Sequence, residues 1–127
     1  FYRNLFNSLG LASDDIPQDL ANEMYEQVVN LGQGGHTRYL QRICNAFNYN
    51  KKAKAALFPD LQEDGALGNR TRAALRVLIE KRTTQAVLVH ALNAAQAMHY
   101  VNLAARDETQ RCFLDGWLTR TYDPESV

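Results

Sequence analysis

The sequence predicts an all-α protein, and three observations lead there. Apolar residues recur at spacings of three and four along most of the chain. No segment keeps the apolar–polar alternation of a half-buried strand for more than a few residues. Between the periodic runs stand glycine, proline, asparagine and aspartate, the residues that stop and restart helices. The expected architecture is a helical bundle of about six helices.

The first run, FYRNLFNSLGL, sets Phe1, Leu5, Phe6 and Leu9 at helical spacing, a short helix over about residues 1–9 that Gly10 ends. A helix this apolar needs a partner surface, so the run reads as part of a longer polypeptide. SDDIP then supplies capping residues and Pro17, whose fixed φ suits a first helical turn. Leu20, Met24, Val28 and Leu31 form one stripe of the second helix, and the glycines of GQGG stop it. A third helix spans about His36 to Phe47, with Leu40, Ile43 and Phe47 on one face. Residues 48–63, NYNKKAKAALFPDLQE, are irregular and read as a long surface loop with room for a short helical turn.

A fourth helix is expected from about Asn69 to Lys81, and a fifth, the longest, from about Thr84 to Ala105. In the fifth, Val87, Ala91, Ala94, Ala95, Met98 and Val101 are available to pack. The sixth starts at DETQ, where Asp107 caps and Gln110 reaches back as in a capping box. Phe113, Leu114, Trp117 and Leu118 give it an inner face, with Trp117 in the core and Arg120 at the surface.

Composition bounds the function. The chain has 127 residues, enough for one domain. A hydrophobic content of 46% with zero formal net charge excludes a disordered chain. The same neutrality argues against nucleic acid as partner, since such proteins are usually basic overall. No apolar run approaches the roughly 18 residues of a membrane span. Cys44 and Cys112 fit no metal motif and read as small buried hydrophobes, with a disulfide as the alternative in an oxidising compartment. His36, His90 and His99 make no metal set, because zinc needs three or four converging ligands. They read as surface or cap residues. No cofactor motif is present, and no phosphate-binding glycine loop.

The most informative stretch is EDGALGNRTRAAL, residues 63–75. Asp64 can bond its own backbone two residues on, while Gly65 and Gly68 supply unusual backbone angles. Leu67 plugs the core, and Asn69 or Thr71 can accept from the free amides at the next helix start. Every residue has a structural job, so the turn alone is weak evidence for a ligand.

Four short elements in this order carry a family resemblance. DGALGNRT, with Asp64, Gly65, Gly68 and Thr71, resembles the DG-x-x-G-x-x-T turn of bacterial peptidoglycan-binding helical modules. LVHALNAAQAMHYVNLA resembles the long helix of one such module through Leu92, Asn93, Gln96 and Tyr100. FLDGWLTR resembles its closing element through Phe113, Gly116, Trp117 and Arg120. Upstream, EQVVNLG and YLQRICN resemble the middle of the attached catalytic domain through Glu26, Asn30, Gly32, Leu40 and Gln41. Together they resemble the phage and secretion-associated muramidases of glycoside hydrolase family 108, which cut the β-1,4 bond between N-acetylmuramic acid and N-acetylglucosamine. Three departures accompany the likeness. The family's catalytic Glu-Gly-Gly triplet does not occur, Glu63 and Asn69 replace the usual apolar residue and proline of the turn, and Glu26 stands where a relative has aspartate.

The resemblance implies a lysozyme-like bundle in two abutting parts: residues 1–50 as the C-terminal part of a muramidase lobe, 51–62 as loop, and 63–127 as a peptidoglycan-binding subdomain. It also implies that the catalytic glutamate lies N-terminal to this chain, in a phage endolysin or a secretion-system effector. The alternative is a non-catalytic anchor to the wall. A glycosidase needs a carboxylic acid, often with a second carboxylate across the bond. Glu23 and Glu26 share a helix face and are the candidates on patterned segments, a solvated acidic surface being the plainer reading. No catalytic residue is expected in this chain, with Glu26 in a supporting role. Glu26, Asn30, Tyr25, Gln41 and Tyr100 are the candidate glycan contacts. Tyr39 and Tyr49 can also stack on sugar rings, though tyrosines at helical spacing are more often half-buried core. Asn30 can equally end its helix. Arg70, Arg72, Arg76, Lys81 and Arg82 read as a solvated helix face, or as a surface for anionic stems or phosphate-bearing wall polymers. Expected partners are bacterial peptidoglycan, the N-terminal part of the same protein, and an immunity or inhibitor protein. The expected place of action is the periplasm or cell wall after export, lysis or injection.

Overall fold

The computed structural model describes residues 16–121. The described residues form five α-helices and one 3₁₀ segment: α1 (Gln18–Leu31), α2 (Gln33–Phe47), α3 (Asn69–Lys81), α4 (Gln85–Arg106), the 3₁₀ turn Glu108–Phe113, and α5 (Leu114–Thr121). No strand occurs among them, only the isolated bridge Asn50–Ala55. The chain is therefore all-α, as its periodicity predicts. The expected helix over residues 1–9 and the SDD cap lie outside the described residues.

α4 is the spine. It packs against α1, α2 and α5, and α2 also packs against α1 and α3. The core gathers Leu20, Met24 and Val28 from α1, Leu40 and Cys44 from α2, Leu75 and Leu78 from α3, and Leu88 and Leu92 from α4. Residues from both sides of the 51–62 loop share this one core. Burying a side chain of this kind stabilises by about 1.5–3 kcal/mol.

A buried polar relay joins three helices. His36 Nδ1 lies 2.7 Å from Gln27 Oε1, and Gln27 Nε2 donates to the Leu92 carbonyl at 2.8 Å. Because the Gln27 amide nitrogen is committed to Leu92, its oxygen accepts, and His36 carries its proton on Nδ1. His36 Nε2 is then a buried lone pair without a partner. Burial holds the imidazole neutral, with its pKa lowered to about 4. The surface or cap reading of His36 is thus corrected: it is a core residue. His99, half-buried, meets the Tyr39 hydroxyl at 3.0 Å and ties α2 to α4.

Four further expectations are corrected. Of GQGG, only Gly32 breaks the chain, at φ 82. Gly34 and Gly35 lie inside α2, which starts three residues earlier than expected. The packing face of α4 is Leu88, Leu92, Gln96, Tyr100 and Ala104, a continuous i, i+4 row. Val87, Met98 and Val101 are exposed instead. At the sixth element Asp107 does cap, accepting from Thr109 N–H at 3.0 Å. The reciprocal half of a capping box does not form, because the Asp107 N–H already donates to the Leu103 carbonyl at 3.1 Å. Finally, Trp117 is only half-buried, Phe113 is 52% exposed, and no residue of α5 is buried.

The two cysteines separate. Cys44 is buried, with its thiol pushed up to about 12 by desolvation, while Cys112 is exposed and both are free. The long loop holds one hydrogen-bonded turn, residues 51–54, closed by Lys54 N–H donating to the Asn50 carbonyl, and no helix. Two amides staple it down, Asn45 near the end of α2 and Asn48 just past it. Asn48 accepts from Leu57 and Phe58 N–H at 2.8 and 3.1 Å and donates to the Phe58 carbonyl at 2.6 Å. Asn45 both donates to and accepts from the Leu61 backbone, each at 2.8 Å. Leu57, Phe58 and Leu61 are thereby held against the core.

Candidate functional site

The inner row of α1 is spent on the core, which leaves its flank to face outward. Tyr25 and Val29 are one turn apart on that flank, as are Glu26 and Asn30. Together with Gln96 of α4 and Arg120 of α5 they line a groove of about 480 Å³. Glu26 supplies its carboxylate and Arg120 its guanidinium. Tyr25 and Val29 supply apolar surface, and Val29 is 46% exposed.

What fixes Arg120 there is an aromatic stack. Gln96 Nε2 donates to the Tyr100 hydroxyl at 2.8 Å. The Tyr100 ring stacks on Trp117 at 5.1 Å and 27°, and Trp117 leans on Phe113 at 5.8 Å. Such ring pairs add about 0.5–1.5 kcal/mol beyond the area they bury. The stack clamps the short α5 to α4, and Arg120 follows Trp117 by three residues, one turn on.

Of the five glycan contacts predicted from sequence, the structure brings Tyr25, Glu26 and Asn30 into this groove. Tyr100 is 4% exposed and lies under it, its ring face covered by Trp117 and its hydroxyl held by Gln96. Gln41 belongs to the DG turn. Its Nε2 donates to Asp64 Oδ1, the Ala66 carbonyl and Thr71 Oγ1 at 3.0, 3.1 and 3.3 Å. Its Oε1 accepts from Gly65 N–H at 3.0 Å. Sequence reasoning expects Arg120 at the surface without a site, and reaches Gln96 only through the family resemblance. The signal for Arg120 was its position one turn after a tryptophan.

The turn is built as a structural element. Asp64 Oδ1 accepts from Ala66 N–H at 2.9 Å, the local bond its position predicts. That bond, with the one from Gln41, lowers the Asp64 pKa. Gly65 has φ 80, and a Cβ there would sit 3.2 Å from both Cα and O of Gly34. Gly68 differs from expectation: at φ −104 and ψ −171 it is ordinary extended backbone. Neither Asn69 nor Thr71 caps α3, which starts without a side-chain cap, and Thr71 Oγ1 faces Gln41 instead. Between the turn, the Phe58–Gln62 strip and the start of α3 lies a second cavity of about 670 Å³.

Among the described residues no three His, Cys, Asp or Glu side chains converge as a metal site would require. None of their helices is long and apolar enough to cross a membrane.

No curated protein matches the chain. Residues 35–122 match the family described as a predicted peptidoglycan domain. The matched span holds Gln41, the DG turn, Gln96, Tyr100, Trp117 and Arg120, and begins after Tyr25, Glu26 and Asn30. With more than half its length so matched, the chain belongs to this peptidoglycan-binding domain family.

Proposed function

We propose that this chain is the wall-binding, C-terminal part of a peptidoglycan-degrading muramidase, and that it holds the glycan strand in the Tyr25–Glu26–Asn30 groove. The observation carrying this reading is that α1 side chains outside the family match and Gln96 and Arg120 inside it share one groove. A saccharide suits such a lining. Tyr25 offers a ring face to a pyranose, Glu26 accepts from hydroxyls, Asn30 pairs with an N-acetyl amide, and Arg120 meets a carboxylate. Residues 1–50 would be the back of the muramidase lobe and 63–127 the peptidoglycan-binding subdomain, joined through the 51–62 loop.

Hydrolysis of the β-1,4 bond needs a proton donor kept neutral by an apolar pocket or a second carboxylate. Among the described residues the groove has one carboxylate, Glu26, and it is exposed. By the family resemblance, the donor would lie in a Glu-Gly-Gly segment N-terminal to this chain, in a phage endolysin or a muramidase delivered by a secretion system. The single carboxylate equally favours a second reading, an anchor module without catalysis. In both readings the site of action is the cell wall.

The test is co-sedimentation with insoluble peptidoglycan. The wild-type chain is expected to pellet, and a Glu26→Ala/Asn30→Ala double variant to pellet at least fivefold less. Equal retention of the two would remove the groove from the reading, and no retention of either would remove the function. Turbidity of cell-wall suspensions should fall little with this chain alone, and rapid clearing would refute the assignment of the acid. The codons before Phe1 separate enzyme from anchor: a Glu-Gly-Gly triplet there favours the enzyme.

A further inference from the structure

We propose that the concavity between the 49–52 turn and the end of α3 binds phosphate groups of an anionic wall polymer. It uses none of the groove residues and stands or falls separately from the groove. Tyr49, Asn50, Lys51 and Lys52 line it from the loop, and Lys81 and Arg82 from the end of α3, around about 480 Å³. Four cations meet here, and among the described residues no carboxylate lines the space. The chain as a whole carries zero formal net charge, so this concentration does not follow from a basic background.

The turn that brings the lysines in is firmly made. Asn50 N–H donates to the Ala55 carbonyl and Lys54 N–H to the Asn50 carbonyl, both at 2.7 Å. Asn50 Oδ1 accepts from Lys52 and Ala53 N–H at 3.0 and 3.1 Å. Lys54 closes the turn in the left-handed region at φ 53, which a non-glycine residue adopts only at some cost. On the helix side, the Arg82 guanidinium lies over the Phe47 ring at 5.5 Å, and its Nε is shielded without an acceptor. Among the described residues Arg82 thus has a π face, and its Nε has no acceptor.

Like charges gathered in one concavity repel, and that cost persists whenever the site is empty. A phosphate relieves it: lysine ammoniums approach as point charges and a guanidinium as a planar fork. The exposed Tyr49 ring at the rim offers a face to the sugar or polyol that links successive phosphates. Nucleic acid fits less well, because the patch is compact and the chain around it is neutral, where nucleic-acid binders carry a basic stripe.

The experiment uses the full 127-residue chain and a Lys51→Ala/Lys52→Ala/Lys81→Ala variant, three exposed side chains whose loss should leave the helical circular dichroism unchanged. Titration calorimetry with glycerol-phosphate oligomers at low and moderate salt should show binding by the wild type, at least tenfold weaker binding by the variant, and a shallower salt dependence for the variant. On walls carrying phosphate polymers the variant should elute at lower salt. On peptidoglycan stripped of them the two proteins should behave alike. The proposal is overturned if the wild type ignores the oligomers at low salt or if the variant binds them equally. It is also overturned if the variant loses stripped peptidoglycan to the same degree, which would assign the site to stem-peptide carboxylates. Equally tight binding of a short single-stranded DNA would overturn it too, by making the patch a generic polyanion surface.

Discussion

Acid should loosen this protein well above the pH at which its carboxylates titrate, and His36 is the reason. In the folded state burial lowers its pKa to about 4, against 6.5 for the free side chain. Its Nδ1 proton is given to Gln27, and its bare Nε2 has no acceptor nearby. Protonating Nε2 would place a cation and an unpaired N–H in the core. The unfolded chain takes that proton readily below pH 6.5, whereas the folded chain takes it only near pH 4. Stability is therefore fully present above pH 6.5, and falls as pH drops from there towards 4. Two and a half pH units at 1.36 kcal/mol each give a loss of about 3 kcal/mol by pH 4. Asp64 and Asp107, whose pKa values hydrogen bonds lower, add their losses only at and below the ordinary carboxylate range near 3.9. Half-buried His99, also lowered, acts in the same direction as His36, so the comparison must be made with a variant. His36→Asn keeps an N–H donor for Gln27 and removes the titration. Urea unfolding followed by Trp117 fluorescence at pH 7, 6, 5 and 4 should show the wild type losing about 3 kcal/mol more than the variant across that window. Parallel pH profiles for the two proteins would refute the reasoning.

The two glycines of the turn should part company. Gly65→Ala meets both a left-handed φ and a backbone 3.2 Å away, and should cost about 2–4 kcal/mol in urea unfolding. Gly68→Ala meets open space at a negative φ and should cost less than about 1 kcal/mol. Gln41→Leu keeps the volume but strands the Gly65 N–H. It should cost about 1–3 kcal/mol and speed hydrogen exchange at that amide. Cys112 should react with a thiol reagent in the folded protein, and Cys44 only on unfolding. Two equivalents reacting at once would contradict the burial of Cys44.

The sequence made the helices legible wherever polar and apolar faces alternate cleanly. α3 runs from Asn69 to Lys81, as expected at both ends, and α4 is displaced by one residue. The same reading lost the rotation of α4, because that helix is apolar or small nearly all round and periodicity then carries no phase. Its phase is set by size: Leu88, Leu92 and Tyr100 fill the core, and the alanines between them do not compete. Gly34 looked like a helix stop and is instead where the turn docks: a Cβ on Gly65 would sit 3.2 Å from the Gly34 backbone. A glycine required by tertiary contact and one required by chain reversal are identical in a one-dimensional pattern.

The site shows the same division between what one helix determines and what several must agree on. Tyr25, Glu26 and Asn30 were legible as a set, because all three lie within six residues on one side of α1. Arg120 was not, because its place depends on Tyr100 stacking with Trp117 more than a dozen residues away. Gln41 shows the converse case. A glutamine matching a family motif suggested a ligand contact, yet every hydrogen bond it makes is to the turn at 64–71. The clue lay in its company: Asn45 and Asn48 follow it along the same side and bond the backbone at 57–61, and a run of amides beside irregular chain is what that chain's unpaired backbone requires. A polar residue matched to a motif is therefore better weighed first against the backbone groups within its reach. Only the hydrogen-bonding capacity left after that can be assigned to a ligand, and the proposal assigns it to Glu26, Asn30 and Arg120, which line the groove.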